Sequence, residues 1–206
     1  MCVYLLLPNL DAAGMPTEEE AIEIVLFAIK AGITALDTAH GYGLSQKRLG
    51  IALVAASQAE LPMPSIITKC DPAIGKCGSA QAVIDAVDGS IATARSDLGT
   101  PVLDTVCLHY WGEHGPSLFG GAALERLKHH MAEGSIRQVG TSTYTPKEVL
   151  EALEDPAVTH IQLPFNVLDH RWRTAGVPEA LLRRPDVTVH ARSCLLQGIL
   201  VSEAAR

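Results

Sequence analysis

Three polar residues, Asp37, Lys69 and His109, follow three successive segments whose β-branched composition is typical of strands. A fourth polar residue, Tyr42, lies a few positions beyond Asp37 in a loop flanked by glycines. Neighbouring parallel strands lie about 4.8 Å apart, and their carboxyl ends meet at one edge of a sheet. We therefore expect the four side chains to converge on one site.

These residue types suit acid–base chemistry on a carbonyl group. A tyrosine hydroxyl has an ordinary pKa of about 10, and a nearby lysine ammonium lowers that pKa by favouring the phenolate. A carboxylate keeps the ammonium charged and oriented, and a neutral histidine can donate a second hydrogen bond to the substrate oxygen. The set predicts a site that polarises a carbonyl, with Tyr42 donating the proton. The competing interpretation of Asp37 and Lys69 is a structural ion pair at a strand end.

Strand-like segments alternate with helical patterns along the chain, which predicts right-handed crossovers and a parallel sheet. One helix begins after a capping-box sequence at Thr17. No glycine-rich dinucleotide fingerprint follows the first strand, so a closed (β/α) barrel is favoured over an open doubly wound sheet. The predicted strands are Val3–Leu7, Ile33–Leu36, Ser65–Thr68, Val102–Leu108, Ile136–Val139, His160–Leu163 and Val187–Ala191.

The length of the chain sets how much of a barrel it can form. A full barrel usually needs about 250 residues and eight strand–helix units, whereas this chain has 206 residues. We expect one α/β domain over residues 1–206, a TIM-type parallel (β/α) barrel that is incomplete, with about seven of the eight units. Its two open strand edges predict a cover, either a helix or a second copy of the chain in a homo-oligomer, unless the chain is a fragment.

Composition argues against several classes of function. The net charge of −7 and the few basic clusters argue against nucleic acid as a partner. No apolar run has the length needed to cross a bilayer, and the apolar segment Met1–Pro8 lacks the basic flank of a signal peptide, so no membrane partner is expected. Five dispersed cysteines without a C-x-x-C pair, and histidines without metal-ligand spacing, predict reduced thiols, no metal site and a cytoplasmic location.

Several segments resemble the signatures of the aldo-keto reductase family, in its bacterial branch. The stretch Gly32–Gly50 is similar to the family pattern G-x-x-x-x-D-T-A-x-x-Y-G-x-S-E-x-x-L-G. The resemblance extends from about residue 15 to residue 201, with the segments in the family's order. The other matching segments are Thr68-Lys69, Leu108-His109, Gly134–Ser142, Gln162 with Asn166–Asp169, and Arg192-Ser193 with Leu196–Leu200.

This resemblance implies roles for the site residues and a cofactor. It implies a catalytic set made of Asp37, Tyr42, Lys69 and His109. It also implies NADP(H), bound extended across the barrel mouth. The residues implied for cofactor binding are Ser142, Thr143 and Gln162 at the carboxamide, Arg192 against the nicotinamide ring, and Ser193. Thr143 stands where the family more commonly has Asn.

The implied function is an NADP(H)-dependent oxidoreductase that reduces an aldehyde or ketone, a small-molecule carbonyl substrate, to an alcohol. In relatives, the eighth strand and the helix after it hold the adenine and the 2′-phosphate. The chain ends at Arg206, before such a unit, so weak or absent cofactor binding is expected. Two alternatives stay open. The Tyr-Lys-His set could serve a cofactor-independent lyase, dehydratase or isomerase, or the barrel could be a non-catalytic subunit.

Overall fold

A computed structural model describes residues 16–201 of the chain. The strand predicted over Val3–Leu7 lies outside these residues. None of the helices in the described range is long and apolar enough to span a membrane.

Six parallel strands form a single sheet whose spatial order follows the chain order. Gln162 on the fifth strand donates a hydrogen bond to Asp37 on the first, although three strands separate them. Such a contact requires the sheet to curl, so the predicted incomplete parallel barrel is confirmed, with six strands in the described residues. The strands are β1 (Ala35–Asp37), β2 (Ser65–Lys69), β3 (Leu103–Leu108), β4 (Ile136–Ser142), β5 (Val158–Pro164) and β6 (Thr188–Arg192).

Eight α-helices accompany these strands in the described residues. The first begins at the predicted capping box, because the Thr17 hydroxyl accepts from the Glu20 amide and the Glu20 carboxylate accepts from the Thr17 amide. A second capping box, formed by Thr145 and Glu148, begins the sixth helix. The helices are α1 (Glu18–Lys30), α2 (Ser45–Gln58), α3 (Ala80–Leu98), α4 (Trp111–His114), α5 (Ala122–Ala132), α6 (Pro146–Ala152), α7 (Arg171–Thr174) and α8 (Val177–Leu182).

The sequence pattern over Leu118–Glu133 is helical, but the helix that forms there, α5, is shorter. It begins at Ala122, after a short 3-10 turn. Gly120 and Gly121 have φ angles of 66° and 84°, in the left-handed region that ends or precedes a helix rather than continuing it. The apolar periodicity therefore begins about one turn before the helix does.

The apolar core lies between the helices and the outer face of the sheet. Val25 of α1, Leu49 of α2, Val87 of α3 and Leu127 of α5 all belong to it. Burying each such side chain stabilises the fold by about 1.5–3 kcal/mol. β6 is different, because its residues are exposed or half-buried, as expected for an edge strand.

Gly140 on β4 lies between Cys107 of β3 and His160 of β5, with no room for a side chain. A Cβ atom at this position would lie 2.7 Å from the Cys107 Sγ atom and 2.7 Å from the His160 carbonyl oxygen. The β4–β5 register is also irregular at this residue. Only glycine fits here without displacing β3 or β5.

We predict that Gly140→Ala lowers the free energy of unfolding by about 1–3 kcal/mol, because the added methyl group overpacks the interior. Urea unfolding followed by circular dichroism measures this change. Gly89→Ala is the matched control, because Gly89 lies within α3 and a methyl group added there would meet no neighbouring element within 4 Å. Alanine favours a helix over glycine, so this variant should be as stable as the unmodified chain or more stable. Equal stability of the two variants would contradict the prediction.

Candidate active site

A buried ion pair between Lys69 and Asp37 lies at the carboxyl ends of β2 and β1. The Lys69 Nζ atom donates to both carboxylate oxygens of Asp37 at 2.7 Å and to the Thr38 carbonyl oxygen at 3.0 Å. The side chains of both charged residues are 3% exposed. All three ammonium hydrogens thus have acceptors, which offsets the desolvation of the two charges. Asp37 and Lys69 are the last residues of β1 and β2, whereas the sequence pattern predicts each of them directly after its strand.

Gln162 completes the surroundings of Asp37. Its Nε2 atom lies 2.5 Å from the Asp37 Oδ1 atom, and both residues are buried. The contact crosses the inside of the half-barrel from β5 to β1. The Asp37 carboxylate therefore links three strands: its own strand β1, β2 through Lys69 and β5 through Gln162.

Tyr42 lies in the loop between β1 and α2, with the Lys69 Nζ atom 5.1 Å from the centre of its ring. Two buried hydrogen bonds hold the ends of this loop. The Thr38 hydroxyl donates to the Ser45 hydroxyl at 2.9 Å, and the Thr68 hydroxyl donates to the Gln46 side-chain oxygen at 2.6 Å. Sequence reasoning missed these contacts, although Thr68 stands beside Lys69 in the family motif.

The pKa of Tyr42 is raised, whereas Lys69 alone is expected to lower it. Burial raises this pKa above its ordinary value, and the Asp37 carboxylate raises it further, while Arg192 opposes both. The Asp37 carboxylate accepts two of the Lys69 hydrogen bonds, so its negative charge lies beside the Lys69 charge and close to the phenol. Tyr42 is therefore protonated at neutral pH.

His109 follows β3 and faces Tyr42, with ring centres 5.9 Å apart and an angle of 84° between the planes. Burial lowers the pKa of His109 to about 4, and the Lys69 charge acts in the same direction. The imidazole is therefore neutral at pH 7, as predicted. Its Nδ1 atom lies 3.3 Å from the Cys70 carbonyl oxygen, which can only accept, so Nδ1 carries the hydrogen. The Nε2 atom is then an acceptor, and the predicted donation to a substrate oxygen requires the other tautomer.

Arg192, at the end of β6, packs on Tyr144. Its guanidinium carbon lies 4.3 Å from the centre of the Tyr144 ring, and its Nη2 atom donates to the Thr143 carbonyl oxygen at 3.1 Å. Tyr144 in turn lies 5.8 Å, centre to centre, from Tyr110, which packs on His109 at 4.6 Å. A continuous aromatic and cationic wall thus runs along the mouth from β3 to β6. Neither Tyr144 nor its contact with Arg192 was predicted.

A nicotinamide carboxamide needs one hydrogen-bond acceptor and one donor from the side chains at the mouth. Gln162 uses its nitrogen on Asp37 and keeps its side-chain oxygen as an acceptor, while Ser142 at the end of β4 offers a hydroxyl. The Arg192 Nε atom is buried and has no hydrogen-bond partner in the described part of the chain. These three residues fit the group.

Thr143 is placed differently from the other residues predicted for cofactor binding. It is fully buried, and both its amide and its hydroxyl donate to the Gln162 carbonyl oxygen, at 2.8 and 3.0 Å. Its hydroxyl hydrogen is thus used in bracing β4 against β5. Ser193 lies just beyond β6, is exposed, and has a φ of 59°.

Two neighbouring aromatic residues after β3 lie in different surroundings. Trp111 packs into the core, whereas Tyr110 contacts the site residues. The segment between β2 and α3 contains a 3-10 turn at Pro72–Lys76. Between residues 16 and 201, no group of three or more histidine, cysteine or acidic side chains is arranged to hold a metal ion.

We predict that Lys69→Met lowers the free energy of unfolding by about 3–5 kcal/mol, because it leaves the Asp37 charge buried and uncompensated. Adding Asp37→Asn should recover part of that loss by removing the charge. Urea unfolding of the single and double variants measures both effects. Lys47→Met, at an exposed position of α2, is the control and should change stability little. A single variant as stable as this control would contradict the prediction.

Comparisons with known proteins agree with this architecture. The sequence model of the aldo/keto reductase family matches residues 9–206. No match was found among curated proteins. An aldo-keto reductase from Bacillus halodurans in its holo form is 26% identical with a TM-score of 0.71, over 92% of this chain and 62% of that one.

Two silkworm structures share the fold at lower identity. An aldo-keto reductase of Bombyx mori is 14% identical with a TM-score of 0.73, over 100% of this chain and 62% of that one. Another from Bombyx mori, solved in complex with NADP, is 17% identical with a TM-score of 0.67, over 88% and 59% of the two chains. This chain therefore spans about three fifths of the length of these structures. With the family match over residues 9–206 and the site at the ends of parallel strands, the chain belongs to the aldo/keto reductase family.

Proposed function

We propose that this chain is an NADP(H)-dependent oxidoreductase that reduces an aldehyde or ketone to an alcohol, with Tyr42 as the proton donor. One observation carries the proposal. The buried Asp37–Lys69 pair lies against the ring of Tyr42, at the carboxyl ends of strands where barrel enzymes keep their catalytic groups.

Tyr42 supplies the proton. Its raised pKa keeps the phenol protonated at neutral pH, which the reduction of a carbonyl requires. As negative charge develops on the substrate oxygen, that oxygen becomes far more basic than a phenolate, so proton transfer from Tyr42 becomes favourable. The Lys69 ammonium, held in place by Asp37, stabilises the phenolate that remains.

His109 orients the reacting groups in this proposal. Its neutral ring packs edge-on against Tyr42, and its Nε2 atom is an acceptor in the tautomer described above. That atom can accept a hydrogen bond from the hydroxyl of the alcohol product. Of the two side chains facing the substrate oxygen, only Tyr42 then donates a proton in the direction of reduction.

The nicotinamide end of the cofactor would be held by residues at the ends of β4, β5 and β6. When bound, NADPH supplies the hydride that adds to the carbonyl carbon. Gln162 and Ser142 would bind the carboxamide, with Arg192 and Ser193 beside the ring. Thr143 would contribute by bracing β4 against β5, and through the acceptor capacity of its hydroxyl. The silkworm relative in complex with NADP supports the choice of cofactor.

The substrate class, the location and the oligomeric state are proposals as well. We propose a small-molecule carbonyl substrate, a cytoplasmic location and a homo-oligomer in which a second copy covers the open strand edges. We expect neither a membrane nor a nucleic acid as a partner.

We expect Tyr42→Phe to lower the rate of NADPH-dependent reduction of an aromatic aldehyde by about 100-fold or more, because the general acid is lost. The phenylalanine ring retains the packing against Lys69 and His109, so the dissociation constant for NADPH should stay unchanged. NADPH absorbance measures the first quantity and calorimetry the second. Full activity of the variant would refute the role of Tyr42.

We expect Gln162→Ala to weaken NADPH binding about tenfold, because one hydrogen bond to the carboxamide and the bond that orients Asp37 are both lost. Calorimetric titration of the full chain with NADPH measures the affinity. Gln58→Ala, at an exposed position at the end of α2, is the control and should bind like the unmodified chain. If the folded, unmodified chain binds no NADPH, the oxidoreductase proposal fails.

A further inference from the structure

Two histidines lie inside the half-barrel, each two residues before a residue proposed to bind nicotinamide. His160 and Gln162 are both on β5, and His190 and Arg192 are both on β6. Residues two apart on a strand point to the same face. Gln162 reaches across the interior to Asp37, so His160 faces the interior as well. A barrel interior is usually filled by branched apolar side chains, so a pair of imidazoles there requires an explanation.

The two imidazoles are hydrogen-bonded to each other. The His190 Nδ1 atom lies 2.9 Å from the His160 Nε2 atom, and the ring centres are 4.6 Å apart. His160 is 2% exposed and His190 is half-buried. This is a cross-strand side-chain contact between β5 and the edge strand β6. Because β6 has only one strand neighbour in the described residues, such a contact has a large share in fixing its position.

The hydrogen bond requires at least one of the two rings to be neutral. One nitrogen must donate and the other must accept, so a proton on both rings removes the acceptor and places two positive charges together. Burial lowers the pKa of His160 to about 3, and His190 and Lys69 act in the same direction. Burial also lowers the pKa of His190, against the influence of Asp37. Both rings are therefore neutral at pH 7.

The groups around the pair come from every neighbouring strand. β1 contributes the Asp37 carboxylate, β2 the Lys69 ammonium and β3 the Cys107 thiol, while β4 contributes Gly140 at this level. Asp37 and Lys69 neutralise one another in their ion pair. Protonation of the histidines would therefore add uncompensated positive charge directly below Arg192, which is itself cationic.

We propose that His160 and His190 are positioning residues whose hydrogen bond holds Gln162 and Arg192 at the spacing required to bind the nicotinamide end of the cofactor. The proposal rests on the proposed function, because Gln162 and Arg192 act in it as cofactor ligands. It assigns a role to two residues that do not themselves touch the cofactor.

The test is calorimetric titration of the full chain with NADP⁺ at pH 7.5. His190→Leu removes the hydrogen bond and should weaken NADP⁺ binding about tenfold. The double variant His160→Gln/His190→Asn replaces the pair with two amides, so that the nitrogen of one can donate to the oxygen of the other. It should bind within a factor of about two of the unmodified chain.

A structural readout that needs no cofactor accompanies the titration. Amide hydrogen exchange over residues 188–192 should be faster in the His190→Leu variant than in the unmodified chain at the same pH. His129→Leu, an exposed histidine of α5, is the matched control and should change neither binding nor exchange.

The outcomes separate this proposal from the one on which it rests. If the unmodified chain binds no NADP⁺, the proposed function fails and the cofactor part of this inference fails with it. If the unmodified chain binds and His190→Leu binds equally well, only the positioning role is overturned. A double variant that binds as weakly as His190→Leu would overturn the role of the hydrogen bond.

Discussion

The contacts among Asp37, Lys69 and Gln162 hold together the carboxyl ends of β1, β2 and β5, where the candidate site lies. Two opposite charges are buried between β1 and β2, and an amide from β5 reaches across the barrel to the same carboxylate. Removing two charges from water is costly, and the cost is offset only when their hydrogen-bonding capacity is met. Here each ammonium hydrogen has an acceptor, which offsets that cost. The contacts of this pair require the sheet to curl, and they place the Lys69 ammonium against the ring of Tyr42.

The electrostatics of the site follow from that pair. An isolated ammonium would favour a phenolate, but burial and the Asp37 carboxylate together raise the pKa of Tyr42 and leave it protonated. His109 is kept neutral by burial and by the same ammonium. The site therefore presents a phenol and an uncharged imidazole to a substrate, a combination suited to transferring a proton rather than binding an anion.

The inner face of the sheet is polar well below the mouth. Thr105 donates to Gln138, and His160 shares a hydrogen bond with His190. Buried polar groups stabilise a structure only when they are satisfied, and when satisfied they favour one arrangement of the chain. The cofactor residues proposed on β5 and β6 are thus supported by hydrogen bonds, in contrast to the apolar packing that holds the helices to the outer face.

Much of this protein could be predicted from residues close together in sequence. The alternation of strands and helices, the capping box at Thr17 and the placement of Asp37, Lys69 and His109 at strand ends all depend on local patterns, which the chain carries whatever its tertiary structure. The segment from Gly32 to Gly50 was sufficient to indicate the family, and the family match agrees with it.

Other features depend on contacts between residues far apart in sequence, and only the tertiary structure decided them. The raised pKa of Tyr42, the tautomer of His109 and the engagement of Thr143 each depend on a neighbour brought in by another strand or loop. The pairing of His160 with His190 depends on the register of β5 against β6. Sequence determines which residue types alternate on a strand, but hydrogen bonds and electrostatic effects act over a few ångströms, and folding alone sets which groups come that close.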